Sequence, residues 1–167
     1  MKIQEKKGKL NIVDFNEAEA YKIACKIEED GIHFYQNILG GTKNKYVKEK
    51  ISYLLEEEKK HLKFFNSCLF KIGQEKGDDF EEDNLFKYLD YGIFKPYQDL
   101  KDLGSLIDDI NKALDLGILI EDKSIKLYEA CKDKVSSSKT KKELGNIIEE
   151  EKRHRLLLEE MLNVFKT

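Results

Sequence analysis

The chain repeats itself at a spacing of 93 residues. The segment ACKIEEDGIHFY at 24–35 lies over GILIEDKSIKLY at 117–128, with the Ile-Glu pair, the later Ile and the closing Tyr in register. The same shift lays LLEEEKKHLKFF at 54–65 over IIEEEKRHRLLL at 147–158. In each half one Glu precedes the Glu of a Glu-x-x-His by 30 residues. A repeat on this scale means that one supersecondary unit is used twice. A single proline and an abundance of Lys, Glu, Leu and Ile favour helices within each unit.

The pattern predicts four helices. The first runs from about Asp14 to Leu39, with Asp14 and Glu17 at capping-box spacing and Gly40-Gly41 as the stop. The second begins near Thr42 and fades at Gly73 or Gly77. The third starts at Ser105, with Asp108 three residues on, and ends around Lys134. The fourth starts near Ser138 or Thr140, where Thr140 and Glu143 again have capping-box spacing, and continues almost to the C-terminus. Short links between helices one and two, and three and four, make antiparallel neighbours. The link at about 77–104 is long and aromatic, and it holds Pro96. A segment of that length with its own apolar residues is expected to lie along the bundle, partly helical near Asn84–Tyr91. The expectation is one all-α domain over 1–167, with repeat units at about 15–73 and 106–165. Two hairpins joined by a long crossover is the connectivity of ferritin-like four-helix bundles.

Charge and composition narrow the function. The net charge of −3 gives no overall drive toward nucleic acid or an anionic membrane. No apolar run approaches the ~20 residues that span a bilayer. The charged N-terminus MKIQEKKGKLNIVDF lacks the apolar core of a signal peptide, so a cytoplasmic location is expected. Cys25, Cys68 and Cys131 are scattered and form no CxxC, which argues against a disulfide framework or a four-cysteine metal module. They read as small buried apolar residues.

The repeated glutamates carry the chemistry. Residues three, four and seven apart share a helix face. By that rule Glu28 sits among Tyr21, Ala24, Cys25, Ile32 and Tyr35, and Glu58 among Ile51, Leu54, Leu55, Leu62 and Phe65. Glu121 sits among Leu114, Ile118, Ile125 and Tyr128, and Glu151 among Leu144, Ile147, Ile148 and Leu158. Glu29, Glu56 and Glu149 fall toward the polar side. A carboxylate in a core costs several kcal/mol even after relaxation. Four uncompensated would rival a domain's whole stability of ~5–15 kcal/mol. Arg155 is the one cation near these stripes, and its stem can carry the charge outward. Two divalent ions supply the missing positive charge, with His61 and His154 as neutral imidazole ligands.

One Glu-x-x-His on a lysine-rich helix reads as a solvated face. Two in register, each with a stripe Glu 30 residues upstream, read as the di-iron or di-manganese site of a bundle core. Oxygen and imidazole ligands without thiolate point away from structural zinc. An inherited bundle that works mainly as scaffold is the remaining alternative. Tyr35 and Tyr128, two turns after Glu28 and Glu121, are either core aromatics or phenols that hydrogen-bond a ligand carboxylate across the bundle. His33 lies well round the helix from Glu28 and reads as a surface residue, and Lys152 and Arg153 as a solvated face.

The set Glu28, Glu58-x-x-His61, Glu121 and Glu151-x-x-His154, with the phrases KIEEDGIHFY and LLEEEKKH, resembles the rubrerythrin branch of the ferritin-like superfamily. The resemblance runs from about 15 to 165, the crossover excepted. It implies two iron ions, with manganese as the alternative, bridged by Glu58 and Glu151. Glu28 and Glu121 would be terminal ligands, and each His would cap one metal. It implies reduction of hydrogen peroxide, with oxygen reduction or ferroxidation close behind and iron buffering as a further alternative. Peroxidase members commonly carry a rubredoxin domain with two CxxC pairs. This sequence has none, so a separate donor of the rubredoxin type is expected. Those enzymes also carry an extra Glu one turn after the third-helix ligand, where this chain has Ser124. A homodimer is expected, because the aromatic residues of the crossover need cover.

Overall fold

A computed structural model describes residues 2–6, 9–13, 15–76 and 109–166, with side chains described for 11–13, 15–73 and 109–166. Among the described residues a two-stranded antiparallel hairpin, β1 (Lys2–Lys6) and β2 (Lys9–Val13), precedes four long helices. The helices are α1 (Glu17–Gly41), α2 (Lys45–Lys76), α3 (Ile110–Lys134) and α4 (Ser138–Lys166). α1 packs along α2, and α3 along α4, as two antiparallel hairpins with three-residue links. The hairpins face each other with α1 against α3 and α2 against α4. This is the all-α four-helix bundle expected from the repeat.

Helix starts follow the nearest side chain that can satisfy orphan backbone N–H groups. Asn16 caps α1, its Oδ1 accepting from Ala18 and Glu19 N–H at 3.0 and 3.4 Å. The expected cap, Asp14, lies outside the described residues. Asn44 serves α2, accepting from Tyr46 and Val47 N–H, and Asp109 serves α3, accepting from Asn111 and Lys112 N–H. Ser137 Oγ accepts from Thr140 N–H at 3.2 Å, so α4 is capped by Ser137 and not by Thr140. α1 does not stop before Gly40-Gly41 but runs through both, ending at Thr42, whose N–H donates to Ile38 C=O at 3.0 Å. α2 likewise passes through Gly73. The expected start of α3 at Ser105, the crossover with its Asn84–Tyr91 helix and Pro96, and the dimer contact through that crossover all fall outside the described residues.

The N-terminal hairpin was not expected from the sequence. Five residues of KLNIV are too short for strand and helix periods to be told apart. β2 packs on α3, with Asn11 exposed and Ile12 only 1% exposed. Inside the bundle, Phe34, Tyr35, Phe65, Leu114, Tyr128 and Leu158 form part of one continuous core. Gly117 permits a close crossing: a Cβ there would sit 3.1 Å from Leu158 and 3.2 Å from Phe34. All three cysteines are buried and free, and burial pushes the thiols of Cys25 and Cys131 up to about 12. That suits the packing role expected for them. Among the described residues no helix is long and apolar enough to cross a membrane.

Candidate metal centre

The middle turns of all four helices project acids into this core. Glu28 comes from α1, Glu58 and His61 from α2, Glu121 from α3, and Glu151 and His154 from α4. None of the six is more than 4% exposed. Glu29, His33, Glu56 and Glu149 are exposed, Lys152 is half-buried and Arg153 exposed, as the helical faces predict. Arg155 carries its charge away from the acids, with Nη1 3.2 Å from Asp122 Oδ1 and Nε 3.9 Å from Glu159.

The six side chains form two overlapping donor sets. Glu28, Glu58, His61 and Glu151 offer four ligand atoms within 4.8 Å of one another, and so do Glu58, Glu121, Glu151 and His154. Opposite donors around one ion at ~2.0–2.2 Å stand roughly 4–4.5 Å apart, so each set needs only slight contraction to hold a cation. Glu58 and Glu151 belong to both sets. Each remaining Glu and His belongs to one. The two imidazole rings stack 5.6 Å apart.

His61 Nδ1 lies 3.0 Å from Glu151 Oε1 and 3.7 Å from Glu28 Oε2. All three atoms are buried, and none has a well-directed hydrogen-bond partner among the described residues, although they are this close. Buried polar atoms are rarely left so, and an unaccounted ion is one of the recognised reasons. At the second set His154 Nδ1 lies 3.1 Å from Glu151 Oε2 and 3.4 Å from Glu58 Oε1. The donors are carboxylate oxygen and imidazole nitrogen, with no cysteine in either set, a chemistry that suits iron or manganese.

Burial pushes the Glu58 and Glu121 carboxyls well above the usual range, and neighbouring carboxylates add to this. Glu151 is held well below it, because hydrogen bonds and charge from His154 and His61 outweigh burial. Burial alone would lower both imidazoles. Instead Glu151 and Glu28 raise His61 strongly, and Glu151 and Glu58 raise His154 to about 9. Without cations the surrounding carboxylates therefore favour protonated imidazoles at His61 and His154, and burial favours neutral carboxyls at Glu58 and Glu121. A cation bound there would compete with those protons.

A surrounding layer holds the acids in place. Tyr35 OH, from α1, donates to Glu121 Oε1 on α3, and Tyr128 OH, from α3, donates to Glu28 Oε1 on α1. Both tyrosines are fully buried. Of the two readings left open by the sequence, the structure gives both at once: core aromatics whose phenols grip a carboxylate across the bundle. Glu150 was missed by the sequence reading. Its Oε2 lies 2.9 Å from His61 Nε2, leaving Nδ1 of that ring to face the acids. Its signal was the half-buried middle position of the EEE run, which is identical in both halves. Ser124 is buried, and its Oγ donates to Ile120 C=O at 3.2 Å, so the turn after Glu121 adds no charge.

A helical bundle of two hairpins with a buried, two-fold-repeated cluster of carboxylates and imidazoles defines a ferritin-like protein. The chain belongs to the rubrerythrin family: the family model for rubrerythrin matches residues 19–162, which include all four helix middles and the six clustered residues. Comparison with curated proteins and with solved structures returns no match.

Proposed function

We propose that this protein is a di-iron oxidoreductase that reduces hydrogen peroxide to water, using electrons from a separate donor such as a rubredoxin-type protein. The observation that carries the reading is the sharing of Glu58 and Glu151 by two donor sets otherwise distinct. Two irons held there would supply the two electrons that, with two protons, convert one peroxide to two waters. Glu58 and Glu151 would hold both ions, Glu28 and Glu121 one each, and His61 and His154 one each through Nδ1. Tyr35 and Tyr128 keep the outer carboxylates from swinging while leaving their second oxygens available. The apolar residues around the cluster exclude bulk water. The rubrerythrin family membership favours peroxide over oxygen as the oxidant.

The test is anaerobic loading of the purified chain with ferrous iron, followed by rapid mixing with peroxide and, separately, with air-saturated buffer. The reading expects two irons per chain, an oxidised absorption band forming faster with peroxide than with oxygen, and its loss on adding a reduced donor. Faster oxidation by oxygen, with iron released or stored, indicates a ferroxidase or an iron buffer. Fewer than two irons per chain indicates a scaffold and ends the proposal.

A further inference from the structure

The internal repeat makes the two donor sets near-equivalent, but their outer contacts differ. His61 Nε2 has Glu150 Oε2 at 2.9 Å, from the opposite helix α4. The repeat places Glu57 of α2 as the equivalent partner for His154. Glu57 is instead drawn to Lys60, with Nζ 2.6 Å from its Oε1, whereas the matching Arg153 Nη2 stands 3.6 Å from Glu150 Oε1. His154 Nε2 is buried and has no hydrogen-bond partner among the described residues. Its ring meets the edge of Tyr53 at 6.3 Å, a position the repeat gives to Asn146 in the other half.

An imidazole that binds a cation through Nδ1 must carry its hydrogen on Nε2. An acceptor at Nε2 fixes that tautomer, holds the ring plane and makes Nδ1 more basic. Glu150 does all three for His61. His154 must bury an Nε2–H with nothing among the described residues to receive it. We infer that the two metal positions are unequal, and that the one formed by Glu28, Glu58, His61 and Glu151 fills first because Glu150 positions His61. This inference rests on the metal-binding reading above.

The test is an anaerobic titration of the metal-free full chain with cobalt(II), read by ligand-field absorption and by calorimetry. The expected isotherm has two steps, the first tighter by about 10- to 100-fold, the usual effect of an outer partner on a histidine ligand. Glu150→Ala should weaken the first step by that factor and merge the two. Glu150→Gln, whose amide oxygen still accepts from Nε2–H, should keep most of the separation. Glu57→Ala should leave the isotherm unchanged, and His154→Ala should remove the second step only. Melting temperatures of the metal-free variants show that each is folded. Two equal steps in the unmutated protein, or a first step indifferent to Glu150→Ala, would overturn the inference while leaving the metal reading intact. No cobalt binding at all would overturn both.

Discussion

Tyr35 on α1 donates its phenolic hydrogen to Glu121 on α3, and the repeat returns the favour when Tyr128 on α3 donates to Glu28 on α1. The two bonds cross between the hairpins, so each half of the chain orients an acid belonging to the other. Tyr35→Phe removes the donor and leaves a buried carboxylate oxygen unsatisfied. The expected loss is about 1–3 kcal/mol, the range for orphaning a buried polar group. Tyr128→Phe should cost the same within error, because its partner is equally buried. Denaturant unfolding of the metal-free variants measures both. A negligible change in either would mean that the acid finds another donor.

Glu58 and Glu151 stand in both donor sets, whereas Glu28 and Glu121 stand in one each. The variants should divide accordingly. Glu58→Ala should lower metal content below one ion per chain, and Glu28→Ala should leave about one. Truncation also removes a costly buried acid, so the metal-free Glu58→Ala protein should melt near the unmutated one. The loaded forms should differ widely, because only the unmutated protein gains stability from bound ions. Elemental analysis and melting curves with and without iron decide this. Equal iron content in Glu58→Ala and the unmutated chain would refute the shared role.

Sequence spacing revealed the acids because they break a rule: Glu28, Glu58, Glu121 and Glu151 interrupt apolar stripes whose period is otherwise regular. A helix stripe defines which residues face inward, and in a bundle with only four inward faces those residues must meet. Glu150 was hidden for the complementary reason. Its contact with His61 depends on how far α2 stands from α4, and Glu57, in the same EEE context, makes no such contact with His154. Caps were blurred because several Asn, Asp, Ser and Thr lie near each helix start. Asn16 and Ser137 prevail where Asp14–Glu17 and Thr140–Glu143 spacing suggested otherwise. The glycines mark helix ends to within a residue or two: α1 takes in Gly40 and ends at Gly41, and α2 passes Gly73 and ends at Lys76, the residue before Gly77, because a helix already propagating tolerates a glycine at a cost of ~1 kcal/mol.

Two glycines of α1 and α3 should respond to substitution in opposite senses. Nothing lies within 4 Å of a Cβ built at Gly40, which sits exposed inside α1. Gly40→Ala should therefore stabilise by about 0.5–1 kcal/mol, through chain entropy and helix propensity alone. At Gly117 the same Cβ meets Leu158 and Phe34 at 3.1 and 3.2 Å. Gly117→Val adds two further carbons to that crossing and should cost roughly 1–3 kcal/mol, the usual penalty of overpacking. Thermal melts of the two variants give the comparison. A stabilised Gly117→Val protein would mean that α1, α3 and α4 pack less tightly than the geometry requires.

Metal-free and metal-loaded protein should also depend on pH with opposite slopes. In the metal-free cluster His154 is raised to about 9, and His61 is raised further by Glu151 and Glu28 against the pull of burial. A raised imidazole adds stability that is complete below its unfolded value near 6.5 and disappears as pH climbs through the folded value. Burial raises Glu58 and Glu121, so the folded state holds protons that the unfolded chain gives up above ~4.3, and this too penalises high pH. Glu151, held low by His154 and His61, works the other way: its contribution is present above the ordinary carboxylate range and is lost in strong acid. Metal-free protein should therefore be most stable near the unfolded carboxylate value of ~4.3, weaken from there as Glu58 and Glu121 resist ionisation, and weaken more steeply between about pH 6.5 and 9 as the imidazoles contribute too. Cations compete with the same protons, so their affinity should rise over that interval, and the loaded protein should gain stability where the metal-free form loses it. Melting temperatures measured in parallel from pH 5 to 9, with chelator and with iron under anaerobic conditions, test the crossing. Parallel slopes would mean that protons and metal do not share these six side chains.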